Sequence, residues 1–171
     1  MKILTAYFSH GGENYFSGKI INVEKGNTAI VAEKIAAMTG CALFEIKRKT
    51  PYPEKYRDCV KEAVSEASVS ARPELEIYPD VSGYDTVILG YPNWCGTMPA
   101  PVFTFLESAD FSGKTLLPFC TNEGSGLGKS VADIKKVAPR AEAREGLSIK
   151  GGNARECDAD LKKWLADNGV L

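Results

Sequence analysis

Apolar residues along this chain follow two alternating patterns, which are short continuous runs and longer helical stripes. The runs predict five strands, over Lys2–Phe8, Ala42–Lys47, Thr86–Gly90, Lys114–Cys120 and Ala143–Ile149. Between the runs, apolar residues recur three and four positions apart, as in Val31, Ile35 and Met38, and this spacing indicates one face of a helix. Strands that are apolar throughout and alternate with helices are typical of a parallel sheet covered on both faces. The pattern predicts an α/β fold with a three-layer, doubly wound, five-stranded parallel sheet.

Each predicted strand is followed by a predicted helix. The helices are expected to begin near Thr28, near Tyr56, at Pro99, near Leu127 and shortly before Leu161. Because proline suits the first helical turn, Thr97 is expected to help cap the helix that starts at Pro99. Asn153 is the candidate N-cap of the last helix. Residues 1–171 are predicted to form a single domain with a small insertion at about residues 10–25.

Length, composition and charge narrow the class of protein. A chain of 171 residues with 44% hydrophobic and 25% charged residues has the balance of one soluble globular domain. Its net charge of −1 argues against nucleic acid or an anionic membrane as the main partner. The apolar N-terminal run is too short for a signal peptide, and no stretch approaches the roughly 20 apolar residues of a membrane span. We predict a cytoplasmic protein, either a monomer or a homodimer.

The cysteines give no sign of a disulfide framework or a zinc site. Their number is odd, they are far apart and none forms a Cys-x-x-Cys pair; they are Cys41, Cys59, Cys95, Cys120 and Cys157. Four of them are most simply small apolar residues in a reducing compartment. Cys95 differs because it lies in a loop beside a tryptophan.

The loop after the first strand carries groups that suit a phosphate. It begins with Ser9 and His10 and ends at Gly26-Asn27-Thr28, where a helix is predicted to start. A helix N-terminus offers free N–H groups and the positive end of a dipole, and the Ser9, Asn27 and Thr28 side chains add donors. The alternative is that Asn27 or Thr28 is only a helix cap.

The loop after the third strand presents a tryptophan at the carboxyl end of the sheet. It runs from Tyr91 to Pro99 and contains Trp94, followed by Cys95 and Gly96. Gly96 allows a close approach of the backbone to a ligand, or a positive φ. A flat side chain in such a loop suits stacking on a flat ligand, although a core or interface aromatic fits equally well.

The loop after the fourth strand, Thr121-Asn122-Glu123-Gly124-Ser125-Gly126, is polar and rich in glycine. Its side chains and free backbone groups could hydrogen-bond the edge of a heterocycle, but many strand-to-helix loops have this composition. The three loops together are stronger evidence for a ligand site than any one of them alone, because the carboxyl ends of neighbouring parallel strands form the ligand site of such sheets.

These residues and their order resemble the flavodoxin-like family over essentially the whole chain. Ser9 and Gly26-Asn27-Thr28 are similar to the start and end of the family's phosphate loop, and Trp94 is similar to its flavin-stacking aromatic. The resemblance implies strand order 2-1-3-4-5, bound FMN and a redox function. The residues it implies at the cofactor are Ser9, His10, Gly26, Asn27, Thr28, Pro92, Asn93, Trp94, Cys95, Gly96, Thr121, Glu123, Gly124, Ser125 and Gly126. No catalytic side chain and no metal are implied.

The chain departs from the family pattern in two places. Residues 10–25 separate Ser9 from Gly26 where the usual motif has two residues, and the turn signal Ser17-Gly18 predicts a small hairpin or flap beside the site. His10 or Asn14 then becomes a candidate phosphate contact, unless His10 is a solvated loop residue. The third loop also lacks the second stacking aromatic of many flavodoxins, so one flavin face is either open or covered by Tyr15 or Phe16.

Electron transfer through bound FMN is the function that the resemblance implies, with a redox partner protein or a small-molecule electron acceptor. The main alternative is an NAD(P)H-dependent flavin or quinone reductase, which an open flavin face and the near-neutral charge favour. Two remote alternatives are a P-loop-like nucleotide-binding module at Gly124–Ser130 and a cysteine hydrolase that pairs Cys95 or Cys120 with His10. The P-loop interpretation has Glu123 where the motif needs its first glycine.

Overall fold

The computed structural model describes residues 1–171 and has an α/β architecture. The strands are β1 Ile3–Tyr7, β2 Gly12–Phe16, β3 Lys19–Val23, β4 Ala42–Glu45, β5 Thr86–Pro92, β6 Thr115–Asn122, β7 Glu142–Ala143 and β8 Leu147–Lys150. The helices are α1 Asn27–Thr39, α2 Tyr56–Ser68, α3 Ala100–Glu107, α4 Ser130–Val137 and α5 Asp158–Asp167, and a short 3-10 helix spans Gly151–Asn153. None of these helices is long and apolar enough to cross a bilayer.

The central sheet confirms the predicted α/β class. Its order is β4-β1-β5-β6-β7, with β8 also pairing with β6, and every pairing is parallel. Without the hairpin strands β2 and β3, this order is 2-1-3-4-5. The predicted count of five strands is wrong, because the fifth position is divided into two short strands. Arg144-Glu145-Gly146 lie between β7 and β8; the Arg144 N–H still bonds to the Leu116 carbonyl, and regular pairing with β6 resumes at Phe119.

Helices cover both faces of the sheet and enclose two separate cores. Residues alternate between the faces along each strand, so Leu89 of β5 lies in one core and its neighbour Ile88 lies in the other. The first core includes residues of α2, α3 and α4, and the second includes residues of α1 and α5. The three layers direct the carboxyl ends of β1, β5 and β6 towards one edge of the molecule.

Two predicted helix caps are wrong. Pro99 is the N-cap of α3, and Thr97 instead donates from Oγ1 to Asp133 Oδ2 of α4 at 2.6 Å. Asn153 ends the 3-10 helix, and α5 begins five residues later with Cys157 at its N-cap. In both cases a tertiary contact or an extra turn, which local sequence does not reveal, decides where the helix starts.

The insertion at residues 10–25 forms a two-stranded antiparallel hairpin, as the turn signal predicts. Strands β2 and β3 pair from Gly12↔Val23 to Phe16↔Lys19. Ser17 and Gly18 form the two-residue turn with φ values of 48° and 87°. Positive φ at both central positions is the geometry of a type I′ turn, whose twist matches that of the strands.

Candidate functional site

A cavity of about 320 Å³ lies at the carboxyl ends of β1, β5 and β6. The predicted site residues that line it are Ser9, His10, Asn27, Thr28, Pro92, Asn93, Trp94, Cys95, Thr121, Glu123 and Ser125. The other four predicted residues, Gly26, Gly96, Gly124 and Gly126, belong to the same loops but do not line the cavity. The structure therefore brings the three loops together around one space, as expected for the edge of a parallel sheet.

The N-terminus of α1 opens into this cavity with free backbone donors. Gly26 occupies the N-cap position and has no side chain to cap the helix, so the alternative that Asn27 or Thr28 is a simple cap is wrong. Ser9 Oγ accepts only the third N–H of the helix, from Ala29 at 3.2 Å. The first two N–H groups, of Asn27 and Thr28, have no partner within the helix. They are available to an anion at the positive end of the helix dipole.

Thr28 also joins the first loop to the third. Its hydroxyl lies 2.7 Å from the hydroxyl of Thr121 at the end of β6, and both side chains are buried. Because this bond is shielded from water, it fixes the start of α1 against the sheet edge. The end of the cavity that carries the free N–H groups is thus held in place by a contact within the protein.

Trp94 is half-buried in a group of perpendicular aromatic rings. Its ring centroid lies 5.0 Å from Tyr52, 5.2 Å from Phe8 and 5.8 Å from His10, with interplanar angles between 77° and 82°. Edge-to-face contacts of this kind are favourable and fix the orientation of the ring. Trp94 is therefore both a packed aromatic and a wall of the cavity.

An ionic group centred on the buried Arg48 packs against Tyr52. The guanidinium carbon of Arg48 lies 3.7 Å from the Tyr52 ring centroid, and Arg48 Nη1 pairs with Glu62 at 2.6 Å and Glu66 at 2.8 Å. The Tyr52 hydroxyl donates to the same Glu66 carboxylate. These contacts hold α2 against the Tyr52 ring, which in turn packs against Trp94.

The backbone beside Trp94 is a tight turn with left-handed conformations. Trp94 and Thr97 exchange two backbone hydrogen bonds of 3.0 and 3.1 Å, and the intervening Cys95 and Gly96 have φ values of 55° and 79°. These are the features of a type I′ turn, which explains why glycine suits position 96. The carbonyl of Cys95 accepts no hydrogen bond and is free for a ligand.

The second and third loops are tied to each other. Asn93 Nδ2 donates to the Gly126 carbonyl at 2.9 Å, and the carbonyl of Gly96 accepts the backbone N–H of Lys129 at 2.9 Å. A Cβ on Gly128 would lie 2.2 Å from that Gly96 carbonyl oxygen, so the loops are in contact. Gly126 therefore supports the site from outside the cavity.

These contacts argue against the P-loop alternative. Ser130, the residue a P-loop would offer to a metal, is fully buried. Its hydroxyl donates to the Leu127 carbonyl at 2.6 Å and accepts from the Tyr91 hydroxyl at 2.9 Å. The Lys129 backbone is also engaged with Gly96, so this loop has no free cradle for phosphate.

Several lining residues were missed by sequence reasoning. Glu13 comes from the hairpin, Gly151 follows β8, and one side of α2 contributes Tyr56, Cys59, Val60 and Ala63. Asn14, Tyr15 and Asn122 also line the cavity, and they lie in segments that the sequence had already indicated. The apolar stripe of α2 is visible in the sequence, but a stripe looks the same whether it faces a core or a ligand. Of the two aromatic candidates in the insertion, Tyr15 lines the cavity and Phe16 does not.

The comparisons with known proteins give the family. The flavodoxin family, described as "Flavodoxin", matches residues 2–168. This chain belongs to the flavodoxin family. Among solved structures, a flavoprotein from Bacteroides eggerthii is 30% identical, covering 99% of each chain with a TM-score of 0.80. A flavoprotein from Bacteroides uniformis is 26% identical over 96% of this chain and 97% of that one, with a TM-score of 0.76.

A more distant likeness extends to a structure with a bound flavin. The flavoprotein of Lactobacillus acidophilus in complex with FMN is 20% identical, over 95% of this chain and 97% of that chain, with a TM-score of 0.65. At this identity the likeness shows the shared fold. No curated protein matches this chain.

The side chain of His10 at this site is enclosed, and one of its ring nitrogens has no hydrogen-bond partner. Nε2 is buried without a hydrogen-bond partner, and the ring packs edge-on against Tyr52 and Trp94. Burial lowers the pKa of the imidazole below its ordinary value of 6.5, and the nearby Glu54 opposes this shift. The interpretation of His10 as a solvated loop residue is wrong.

We expect His10→Gln to flatten the pH dependence of stability below neutrality. A lowered pKa means that the unfolded chain binds a proton more readily, so the folded state loses stability as the pH falls below 6.5. Thermal unfolding at about pH 7.5 and about pH 5.5 should show a smaller drop for the variant than for the wild type. If the variant and the wild type lose the same stability between these two pH values, carboxylates rather than His10 set the pH dependence of stability.

The thiols are poor candidates for a nucleophile. Burial raises the pKa of Cys120 to about 12 and also raises the pKa of Cys95, whereas a nucleophilic thiol needs a lowered pKa. The five cysteines are all free, and no cluster of metal-ligating side chains is present. The geometry gives no support to the cysteine hydrolase alternative.

Proposed function

We propose that this protein binds FMN and transfers electrons through it. The observation that carries the proposal is the convergence of three elements on one cavity. They are the N-terminus of α1 with its two free N–H groups, the Trp94 ring and the polar third loop. The helix N-terminus suits a phosphate, the Trp94 ring suits stacking on a flat ring, and the polar loop suits the hydrogen-bonding edge of that ring. Membership of the flavodoxin family supports FMN as the cofactor.

The residues of the cavity fit FMN at both of its ends. The free N–H groups of Asn27 and Thr28, with the Ser9 hydroxyl beside them, suit the phosphate. The Trp94 ring, held edge-on by its neighbours, suits the flavin ring. The third loop adds Asn122, whose Oδ1 accepts the N–H groups of Gly124 and Gly126 at 2.9 and 3.0 Å and so shapes the turn.

When bound, FMN would supply the redox chemistry, and the chain would set its surroundings. Trp94 would exclude water from one face of the ring, because the rings of Phe8, Tyr52 and His10 keep it in place. The free Cys95 carbonyl offers an acceptor for an N–H of the ligand. Tyr15 lines another part of the cavity, where the third loop has no aromatic residue.

The visible absorption spectrum of the purified protein tests this proposal. We expect flavin absorption bands, either as purified or after FMN is added and the excess removed, and we expect these bands to bleach on photoreduction. Titration with FMN should quench tryptophan fluorescence, since Trp94 lines the cavity. A protein that stays colourless after incubation with FMN, with unchanged fluorescence, would contradict the proposal.

A second candidate function is an NAD(P)H-dependent flavin or quinone reductase. The net charge of −1 favours it, because a dedicated carrier often uses a strongly acidic face to find its partner. Stopped-flow mixing of the FMN-loaded protein with NADPH, and separately with NADH, distinguishes the two. Rapid bleaching without another protein indicates a reductase, and slow or absent bleaching indicates a carrier that depends on a redox partner.

A further inference from the structure

The hairpin β2–β3 is attached to the body firmly at its base. Glu13 donates its backbone N–H to the Glu54 carbonyl at 2.8 Å, and its Oε2 accepts the N–H of Tyr56 at 2.9 Å. The Tyr15 ring lies 6.2 Å from the Tyr56 ring at an interplanar angle of 31°. These contacts join the hairpin to the start of α2, on one side of the cavity.

The tip of the hairpin reaches the other side of the cavity through a single hydrogen bond. Ser17 donates its backbone N–H to Glu123 Oε2 at 2.9 Å, across 106 positions in the sequence. No other hydrogen bond joins the hairpin to the third loop. In a two-residue turn the first N–H points away from the strands, so a carboxylate can accept it without disturbing the ladder.

Glu123 is held in one position by its surroundings. Its other oxygen, Oε1, is buried without a partner. A Cβ on Gly151 would lie 2.3 Å from this oxygen and 2.5 Å from Asn27 Nδ2, so both side chains pack closely against the glycine. A buried acceptor without a partner lowers the stability of the fold, so Glu123 stands in this position at a cost.

We propose that Glu123 is a positioning residue that latches the hairpin across the cavity and so holds Tyr15 against the bound flavin. The proposal rests on the proposed function, because it takes a flavin as the occupant of the cavity. Without the latch, the hairpin is held only by the Glu13 contacts at its base and by the packing of Tyr15 on Tyr56, and its tip can move away from the third loop. The latch would thus control how long the ligand stays and how well that side of the ring is shielded.

Hydrogen exchange of the flavin-free protein tests the latch directly. In Glu123→Ala, we expect faster exchange in the hairpin, with the sheet strands β1, β5 and β6 unchanged. Glu123→Gln keeps an oxygen that can accept the Ser17 N–H and should restore most of the protection. Glu24→Ala is the matched control, because Glu24 is an exposed acidic residue that follows the same hairpin and has no side-chain partner.

The dissociation rates of FMN and riboflavin then distinguish a latch from an effect of the Glu123 charge alone. Loss of a charge-assisted hydrogen bond should speed the release of FMN and of riboflavin alike, by about tenfold. If Glu123 acts only through its charge, removing it should tighten FMN, which carries a phosphate, and leave riboflavin unchanged. That result, or unchanged hairpin exchange in Glu123→Ala, would overturn the proposal.

The two proposals fail in different ways. A wild-type protein that binds no flavin contradicts the proposed function, and hairpin exchange in the flavin-free variants still decides whether Glu123 is a latch. A wild-type protein that binds FMN, with equal release rates in Glu123→Ala and Glu24→Ala, retains the proposed function and refutes the latch.

Discussion

Replacing Trp94 by alanine is expected to weaken FMN binding by about ten- to a hundredfold. Stacking of a heterocycle on an aromatic side chain contributes about 1–3 kcal/mol, and each 1.4 kcal/mol is a factor of ten in affinity. The substitution also removes edge-to-face contacts with Phe8 and Tyr52, so the free energy of unfolding should fall by about 2–3 kcal/mol. Isothermal titration with FMN and chemical denaturation measure the two effects.

Trp164 provides the matched control for this experiment. It is the other tryptophan of the chain, lies in α5 in the second core and does not line the cavity. Trp164→Phe should leave the affinity for FMN unchanged and isolate the fluorescence of Trp94, which FMN is expected to quench. An affinity that is the same in Trp94→Ala as in the wild type would show that the flavin does not stack on Trp94.

Gly26→Ala is expected to have the second large effect, because there is no room for a methyl group at the start of α1. The added Cβ would lie 2.4 Å from Ser9 Oγ and 2.5 Å from the His10 carbonyl oxygen, and the second of these is backbone. Overpacking of this kind costs about 1–3 kcal/mol of stability. The forced shift also displaces the loop from the free N–H groups of Asn27 and Thr28, so FMN should lose much more affinity than riboflavin, which has no phosphate.

Gly83→Ala is the control for this change. Gly83 has open space around its Cβ position, and its φ is not in the left-handed region, so the variant should be as stable as the wild type or slightly more stable. Measuring the affinity of both variants for FMN and for riboflavin tests whether Gly26→Ala weakens binding through the phosphate. An equal loss for the two ligands in Gly26→Ala would mean that the α1 N-terminus does not bind the phosphate.

The sheet and the three loops could be predicted because their signals are local. An apolar run such as Thr86–Gly90 indicates a buried strand wherever the rest of the chain lies, and the resemblance supplied the strand order. The loops then come together because parallel strands end at the same edge. The turn signal Ser17-Gly18 likewise fixes the hairpin, since its geometry needs positive φ at two neighbouring residues.

What could not be predicted depends on contacts between distant parts of the chain. Nothing near Glu123 in the sequence indicates that it accepts the N–H of Ser17, and nothing near Thr97 indicates its bond to Asp133. The α2 wall was missed because Cys59 and Ala63 show the spacing of any buried helix face. The division of the fifth strand arises from a short polar interruption that leaves its overall pattern intact.

The hairpin leaves and rejoins the fold at nearly the same point. Its entry at His10 and its exit at Gly26 are in contact, which leaves no room for a side chain at position 26. A segment whose two ends meet can be gained, lost or exchanged without stretching the scaffold around it. The part of the protein that would hold the phosphate and the part that would cover the ring are therefore separate modules, and evolution can alter access to the cofactor while its anchor stays unchanged.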